Sequence, residues 1–184
     1  MKTFNNLIIL LGAPGSGKGT QANLISKKLN IPILTMGDVV RYEIKESTKL
    51  GLKMKSFLDK GDLVPDTLVI DMFFNYLSTI NNSDNLILDG FPRTLAQVRA
   101  LEEKKICIQE PLVFLINIKD SLLEERLLLR NRSDDKKEVI NNRLVNYHNE
   151  VKPILEFYKD IVLSINGENT QDKVFEEIIS KIKI

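Results

Sequence analysis

Gly12-Ala13-Pro14-Gly15-Ser16-Gly17-Lys18-Gly19-Thr20 is the stretch whose reading decides the fold. It follows an apolar run at 7–11, read as a buried strand, and opens a segment read as a helix. A glycine-rich turn between strand and helix, ending in lysine, is the context that a phosphate-binding loop requires. Glycines let the backbone curl until successive N–H groups face one anion, and the helix N-terminus adds partial positive charge. Lys18 brings a full charge to the same point. The plain alternative is a turn in which glycines only relieve strain; the lysine and the two flanking elements together weigh against it. One departure stands out. The general pattern has a Ser or Thr after the lysine to hold magnesium, but here the position is Gly19 and Thr20 comes one later. The expectation is a metal positioned by carboxylates and water.

Outward from this loop, short apolar runs alternate with amphipathic stretches. Residues 7–11, 33–35, 85–88, 112–117 and 161–165 are nearly continuous apolar runs rather than in-and-out alternations. That predicts a five-stranded parallel sheet covered on both faces. Helical spacing links Val69, Met72, Phe73, Tyr76 and Ile80, then Leu95, Val98 and Leu101. A longer stripe runs through Ile140, Leu144, Tyr147, Val151, Leu155 and Tyr158, where Pro153 is expected to kink or interrupt the helix. Val174, Ile178 and Ile182 close the chain. The alternation predicts an α/β three-layer sandwich with right-handed crossovers, one domain over 1–184. Residues 37–80 place two or three helical segments between successive strands, with Gly51, Gly61 and Pro65 as punctuation, and read as an inserted helical lobe. The polar stretch 130–137 reads as a solvated loop or a flap over a site.

The 184 residues are 43% hydrophobic and 28% charged, enough apolar material for a sizeable core and too much for wholesale disorder. Lys and Arg number 26 against 25 Asp and Glu. This balance argues against a nucleic-acid coat or a polybasic membrane binder. One cysteine, Cys107, and one histidine, His148, leave neither an internal disulfide nor a Cys/His zinc cluster. The apolar run near the N-terminus is shorter than an export signal needs, and no run reaches transmembrane length. The expectation is a soluble, cytoplasmic protein.

Two more segments narrow the chemistry. Asp89-Gly90-Phe91-Pro92-Arg93-Thr94 follows the third strand run, placing Asp89 and Arg93 at a strand's C-terminal end, where α/β sheets bind ligands. Gly37-Asp38 with Arg41 follows the second run in the same way. With these blocks in place the sequence resembles the adenylate kinases, nucleoside monophosphate kinases that move a phosphoryl group between ATP and AMP. The resemblance covers essentially the whole chain, through 12–21, 37–41, 60–65, 89–97, 126–132 and 143–158; the first and fourth blocks together are highly specific. The stretch at 130–137 is short and lacks cysteines, like the family's short-lid form, so no zinc is expected.

The resemblance implies a role for each matching position. The backbone of Gly15, Ser16, Gly17, Lys18, Gly19 and Thr20 wraps the ATP phosphates. Arg41 and Arg93 clamp the AMP phosphate beside Gly90, Phe91 and Pro92. Gln97 pairs with the adenine edge of AMP, flanked by Met36 and by main-chain groups of Asp62, Leu63 and Val64. Arg126 and Arg130 face ATP, and Arg132 and Arg143 come over the phosphates with the lid. Asp38 and Asp89 hold the water shell of Mg2+, and Asn169 meets the ATP adenine through its backbone. Lys18, Arg93, Arg126, Arg132 and Arg143 form the implied catalytic set. The partners implied are ATP, AMP and ADP, with neither nucleic acid nor membrane, and the protein acts as a monomer.

The chemistry suits those residue types independently. A transferring phosphoryl group needs positioning and cations more than a nucleophile, and arginine meets phosphate oxygens bidentately. Taken singly, Arg126, Arg130 and Arg143 would be surface residues, Asp38 a helix N-cap, Asp89 a turn cap, and Gln97 solvent-facing. Met36 stands where the family usually has Ser or Thr, and Asp62 where Gln is common. Thr94 and Gln97 argue against the rival UMP/CMP kinase, which usually has Asn after the Gly-Phe-Pro-Arg run. The intact cation and carboxylate set argues against a non-catalytic nucleotide sensor.

Overall fold

The structure, a computed structural model, describes residues 3–80, 83–130 and 136–183. Five strands form one parallel sheet: β1 (Asn6–Leu11), β2 (Ile33–Thr35), β3 (Asn85–Asp89), β4 (Leu112–Asn117) and β5 (Val162–Asn166), in the spatial order β2-β3-β1-β4-β5. β1 and β4 are apolar apart from one terminal asparagine each, because alternate residues feed different layers. On β1, Leu7, Ile9 and Leu11 join one core cluster, while Ile8 and Leu10 join the other. β4 divides in the same way, with Val113 and Leu115 against Phe114 and Ile116. This two-sided burial is why the runs show no polar alternation.

Helices α1 (Lys18–Leu29) and α8 (Gln171–Lys181) cover one face through Ala22, Ile25, Val174 and Ile178. The other face carries α2 (Met36–Lys45), α3 (Lys49–Lys60), α4 (Asp66–Leu77), α5 (Leu95–Glu103) and the end of α7 (Lys137–Phe157). Its centre includes Met54, Phe73, Phe91 and Val98, with the Phe73 and Phe91 rings stacked at 4.1 Å. A third cluster joins α6 (Asp120–Arg130) to α7 through Leu123, Leu127, Ile140 and Leu144. No helix among the described residues is long and apolar enough to cross a membrane.

Two expectations change here. Pro153 does not interrupt α7, which stays helical to Phe157. Buried Val151 and Ile154 anchor the last turn on either side of the lost N–H bond. Gly51 is not punctuation but the third residue of α3, pressed against the backbone of α2. Three helices fill the segment between β2 and β3, the upper of the two numbers expected. Gly61 and Pro65 do mark boundaries, as the C-cap of α3 and the N-cap of α4.

In strand order, β1 lies between β3 and β4, so the chain leaves β1 toward β2 and β3 and later crosses to β4 and β5. The sheet therefore has its topological switch point at the C-terminal end of β1, where α/β folds bind ligands.

Candidate functional site

The loop at that switch point is built from backbone rather than from side chains. Gly15 and Gly17 take positive φ, 85° and 91°, a conformation that L side chains rarely adopt; Gly17 is the N-cap of α1. The chain thereby turns from β1 into α1 with its first amides unclaimed by any capping side chain. Ser16 is buried at 3% exposure and Thr20 is exposed. Lys18 Nζ folds back over the loop and donates to Gly12 O at 2.6 Å and Ala13 O at 2.8 Å. Burial lowers its pKa to about 8; Asp89 opposes that shift, while Arg93 and Arg130 add to it.

Asp89 closes β3 beside β1, at 8% exposure. A Cβ placed on Gly19 would come within 3.2 Å of Asp89 Oδ2. The residue after Lys18 thus leaves its room to a carboxylate, which fits the donor chemistry of magnesium held through water and phosphate oxygens. Among the described residues, no group of three or more His, Cys, Asp or Glu side chains could hold a metal by itself. Asp38 lies in the first turn of α2 and pairs with Arg41, so it is not the N-cap; that position is Thr35, without a side-chain cap.

Arg93 follows the cis Phe91–Pro92 peptide and donates from Nε to Gly90 O at 2.9 Å. Arg93 is exposed, with its guanidinium over Gly90, where an added Cβ would lie 2.9 Å from a terminal nitrogen. Desolvation lowers its pKa, opposed by Asp89 and reinforced by Arg143 and Arg41. Arginine stays charged under such shifts because it starts so high. Lys18 and Arg93 thus lie within electrostatic reach of each other and of Asp89, with Arg130 acting on Lys18 and with Arg41 and Arg143 acting on Arg93. Arg126 stands at the neighbouring edge, donating from both terminal nitrogens to Gly167 O at 3.3 Å; Asn169 sits two residues beyond in the same turn. Arg132 lies outside the described residues, as does most of 130–137.

Gln97 overturns its plain reading as a solvent-facing helix residue: it is 2% exposed. Thr94 is the N-cap of α5 and accepts from Gln97 N, and Gln97 Oε1 in turn accepts from Arg93 N at 2.7 Å. This is a capping-box pattern shifted back by one residue. Met36 is 2% exposed within the core cluster, and Val64 is likewise buried. Leu63 is half-buried and Asp62 exposed.

The turn carrying these residues is clasped from α7. Asn142 Nδ2 donates to Lys60 O at 2.8 Å and to Asp62 Oδ1 at 2.7 Å, and Asn146 Nδ2 donates to Gly61 O at 3.1 Å. Reading the residues alone did not find the two asparagines. Their four-residue spacing was the available signal, since it puts both on one helical face.

A family model described as adenylate kinase matches residues 10–162. A protein named adenylate kinase from Mycobacteroides abscessus is 43% identical over 91% of this chain and 94% of its own. Another, from Leptospira biflexa serovar Patoc, is 39% identical over 95% of this chain and 98% of its own. Adenylate kinase 1 of a Nostoc species is 41% identical, covering 93% and 95%.

Proposed function

The chain belongs to the adenylate kinase family, and from that premise we propose that it transfers the γ-phosphoryl group of Mg·ATP reversibly to AMP, giving two ADP. One observation carries the reading: Lys18 at the start of α1 and Arg93 in the turn after β3 both act on Asp89, which closes the strand beside β1 next to a glycine-rich loop. A cationic centre of this kind gathers two phosphate chains, and the reaction asks little more than positioning and charge.

In this reading the amides of 15–20 and Lys18 hold the ATP phosphates. Arg41 and Arg93 hold the AMP phosphate, with Arg126, Arg130, Arg132 and Arg143 neutralising charge around the transfer. Gln97 reads the AMP base, beside Met36 and 62–64, and Asn169 supports the ATP base. Asp89, with Asp38, orients the waters of Mg2+, which when bound neutralises charge on the phosphate oxygens. Residues 37–80 form the AMP-side lobe and 130–137 a short lid. Excluding water makes AMP rather than solvent the acceptor. The protein is taken as a cytoplasmic monomer, which its single cysteine suits.

The deciding assay presents AMP, CMP and UMP with Mg·ATP to purified protein. AMP is expected to be used at least tenfold better, by kcat/KM, than either pyrimidine nucleotide, roughly what one lost polar contact to a base costs. Equal use of all three would overturn the assignment to AMP, a preference for the pyrimidines would transfer it to the UMP/CMP branch, and binding without turnover would leave a sensor.

A second expectation concerns pH. ATP phosphates require the charged form of Lys18, whose pKa without them is about 8. Raising pH through that value removes the charge before binding, so binding must take up a proton. Affinity for ATP should hold steady just below pH 8 and weaken up to roughly tenfold per pH unit above it. Calorimetry in buffers of different ionisation enthalpy would register the proton uptake. A flat affinity from pH 7.5 to 9.5 would contradict it.

A further inference from the structure

Asp66 lies outside the motif blocks and outside the proposed site. It opens α4, and its Oδ1 accepts from Thr94 Oγ1 at 2.9 Å and from Gln97 Nε2 at 2.7 Å. The opposite side of the same amide is also claimed, because Gln97 Oε1 accepts from Arg93 N at 2.7 Å. These partners settle which way the amide points. A carboxylate only accepts and a backbone N–H only donates. A 180° flip would set Oε1 against the Asp66 carboxylate and Nε2 against the Arg93 N–H. At 2% exposure, water has little room to repair either contact.

A primary amide offers two N–H groups and two acceptor lone pairs. The two bonds use one of each, which leaves one N–H and one lone pair in the amide plane. That remainder complements adenine, whose N6 amino donor lies beside a ring-nitrogen acceptor. Hypoxanthine carries a carbonyl where adenine carries the amino group, so it presents an acceptor to the same lone pair. A freely flipping amide could answer either base; a pinned one answers adenine.

We propose that Asp66 is a positioning residue that sets the preference for a 6-aminopurine over a 6-oxopurine nucleotide by fixing the Gln97 amide. This rests on the reading in which Gln97 faces the AMP base. Asp66 touches no substrate; it acts through Gln97, and the bond to Thr94 holds its carboxylate at the start of α5.

The test measures kcat/KM for AMP and for IMP with Mg·ATP, using the full chain. Asp66→Ala should raise KM for AMP roughly tenfold, the scale of one hydrogen bond to a charged group, with kcat and the KM for ATP within about twofold. The AMP-to-IMP ratio should fall by a similar factor. Asp66→Asn keeps an acceptor oxygen for both bonds and should restore that ratio to within about threefold. The combined Asp66→Ala, Gln97→Ala variant should be no worse than Gln97→Ala alone. Losses that are equal for AMP and IMP, or that add in the double variant, would make Asp66 merely structural and overturn the proposal while sparing the role of Gln97. An unchanged AMP-to-IMP ratio in Gln97→Ala would overturn the base-reading itself, and this proposal with it. Should Asp66→Ala not fold, Asp66→Glu, which displaces the carboxylate by one methylene, is read by the same outcomes.

Discussion

Lys18→Met should lower kcat/KM for phosphoryl transfer by roughly a hundred- to a thousandfold while leaving the fold intact. The magnitude follows from the loss of one well-placed charge at a site of developing negative charge, worth about 3–4 kcal/mol in the barrier. The side chain already lies over the loop, where its ammonium bonds the carbonyls of Gly12 and Ala13. Stability should change little because two effects oppose each other. Methionine forfeits those bonds but also removes the desolvation that lowers the lysine pKa to about 8. The sign is open to measurement. Since the folded pKa lies below that of the unfolded chain, the unfolded state binds more protons between about pH 8 and 10.5. The Lys18 contribution therefore makes the wild type gain stability as pH rises across that window. The variant should lack this gain, together with the alkaline loss of ATP affinity. Steady-state rates and urea melts at pH 7.5 and 9.5 check both halves. A variant with near-normal turnover would remove the loop from the mechanism.

The sheet and the loop were legible because they depend on local pattern. Strands covered on both faces must be apolar throughout, and a backbone anion site must be rich in glycine. Strand ends moved by a residue where pairing, not hydropathy, decides them. Asn6 joins β1 opposite Asn85, with their side chains bonded at 2.7 Å, and Asn166 joins β5 opposite Asn117. Other features depended on residues that meet only after folding. Gln97 looked solvent-facing because neither its bond to Asp66, 31 positions away, nor its burial leaves a periodic trace. Asn142 and Asp62 stand 80 positions apart, and the resemblance that placed Asp62 beside the AMP base carried no signal of its bond to Asn142. Pro153 was expected to disrupt α7 on intrinsic grounds, yet tertiary packing holds the final turn. The cations around Lys18 were placed by resemblance, and their convergence is a property of the parallel topology rather than of any one segment.

Gly51 supplies the clearest conflict between local preference and tertiary constraint, and its replacement has the largest expected effect on stability. Alanine is the better helix former by about 1 kcal/mol, so propensity alone predicts that Gly51→Ala stabilises α3. The structure predicts the reverse. A Cβ at this position would lie 2.1 Å from Glu43 O, 2.3 Å from Glu43 C and 2.6 Å from Ile44 N, all atoms of α2 backbone that no rotamer change can move. The helices must separate. That strains the short connection in which Thr48 N donates to Glu43 O at 3.1 Å and Thr48 Oγ1 caps Gly51 N at 2.9 Å. It also disturbs Glu43, which accepts from Tyr76 of α4 at 2.8 Å. Overpacking of this severity costs about 3 kcal/mol, enough to outweigh the propensity gain. The net loss of about 2 kcal/mol corresponds, for a chain of this size, to a fall of roughly 4–8 °C in Tm. Leu52→Ala, one position on and 60% exposed, should change stability by less than about 0.5 kcal/mol and serves as the control. Because α2 also carries Arg41, the strained variant should lose affinity for AMP more than for ATP at temperatures where it remains folded. A Gly51→Ala protein that melts at or above the wild type would show that α2 and α3 do not pack this closely, and the placement of Arg41 would have to be drawn again.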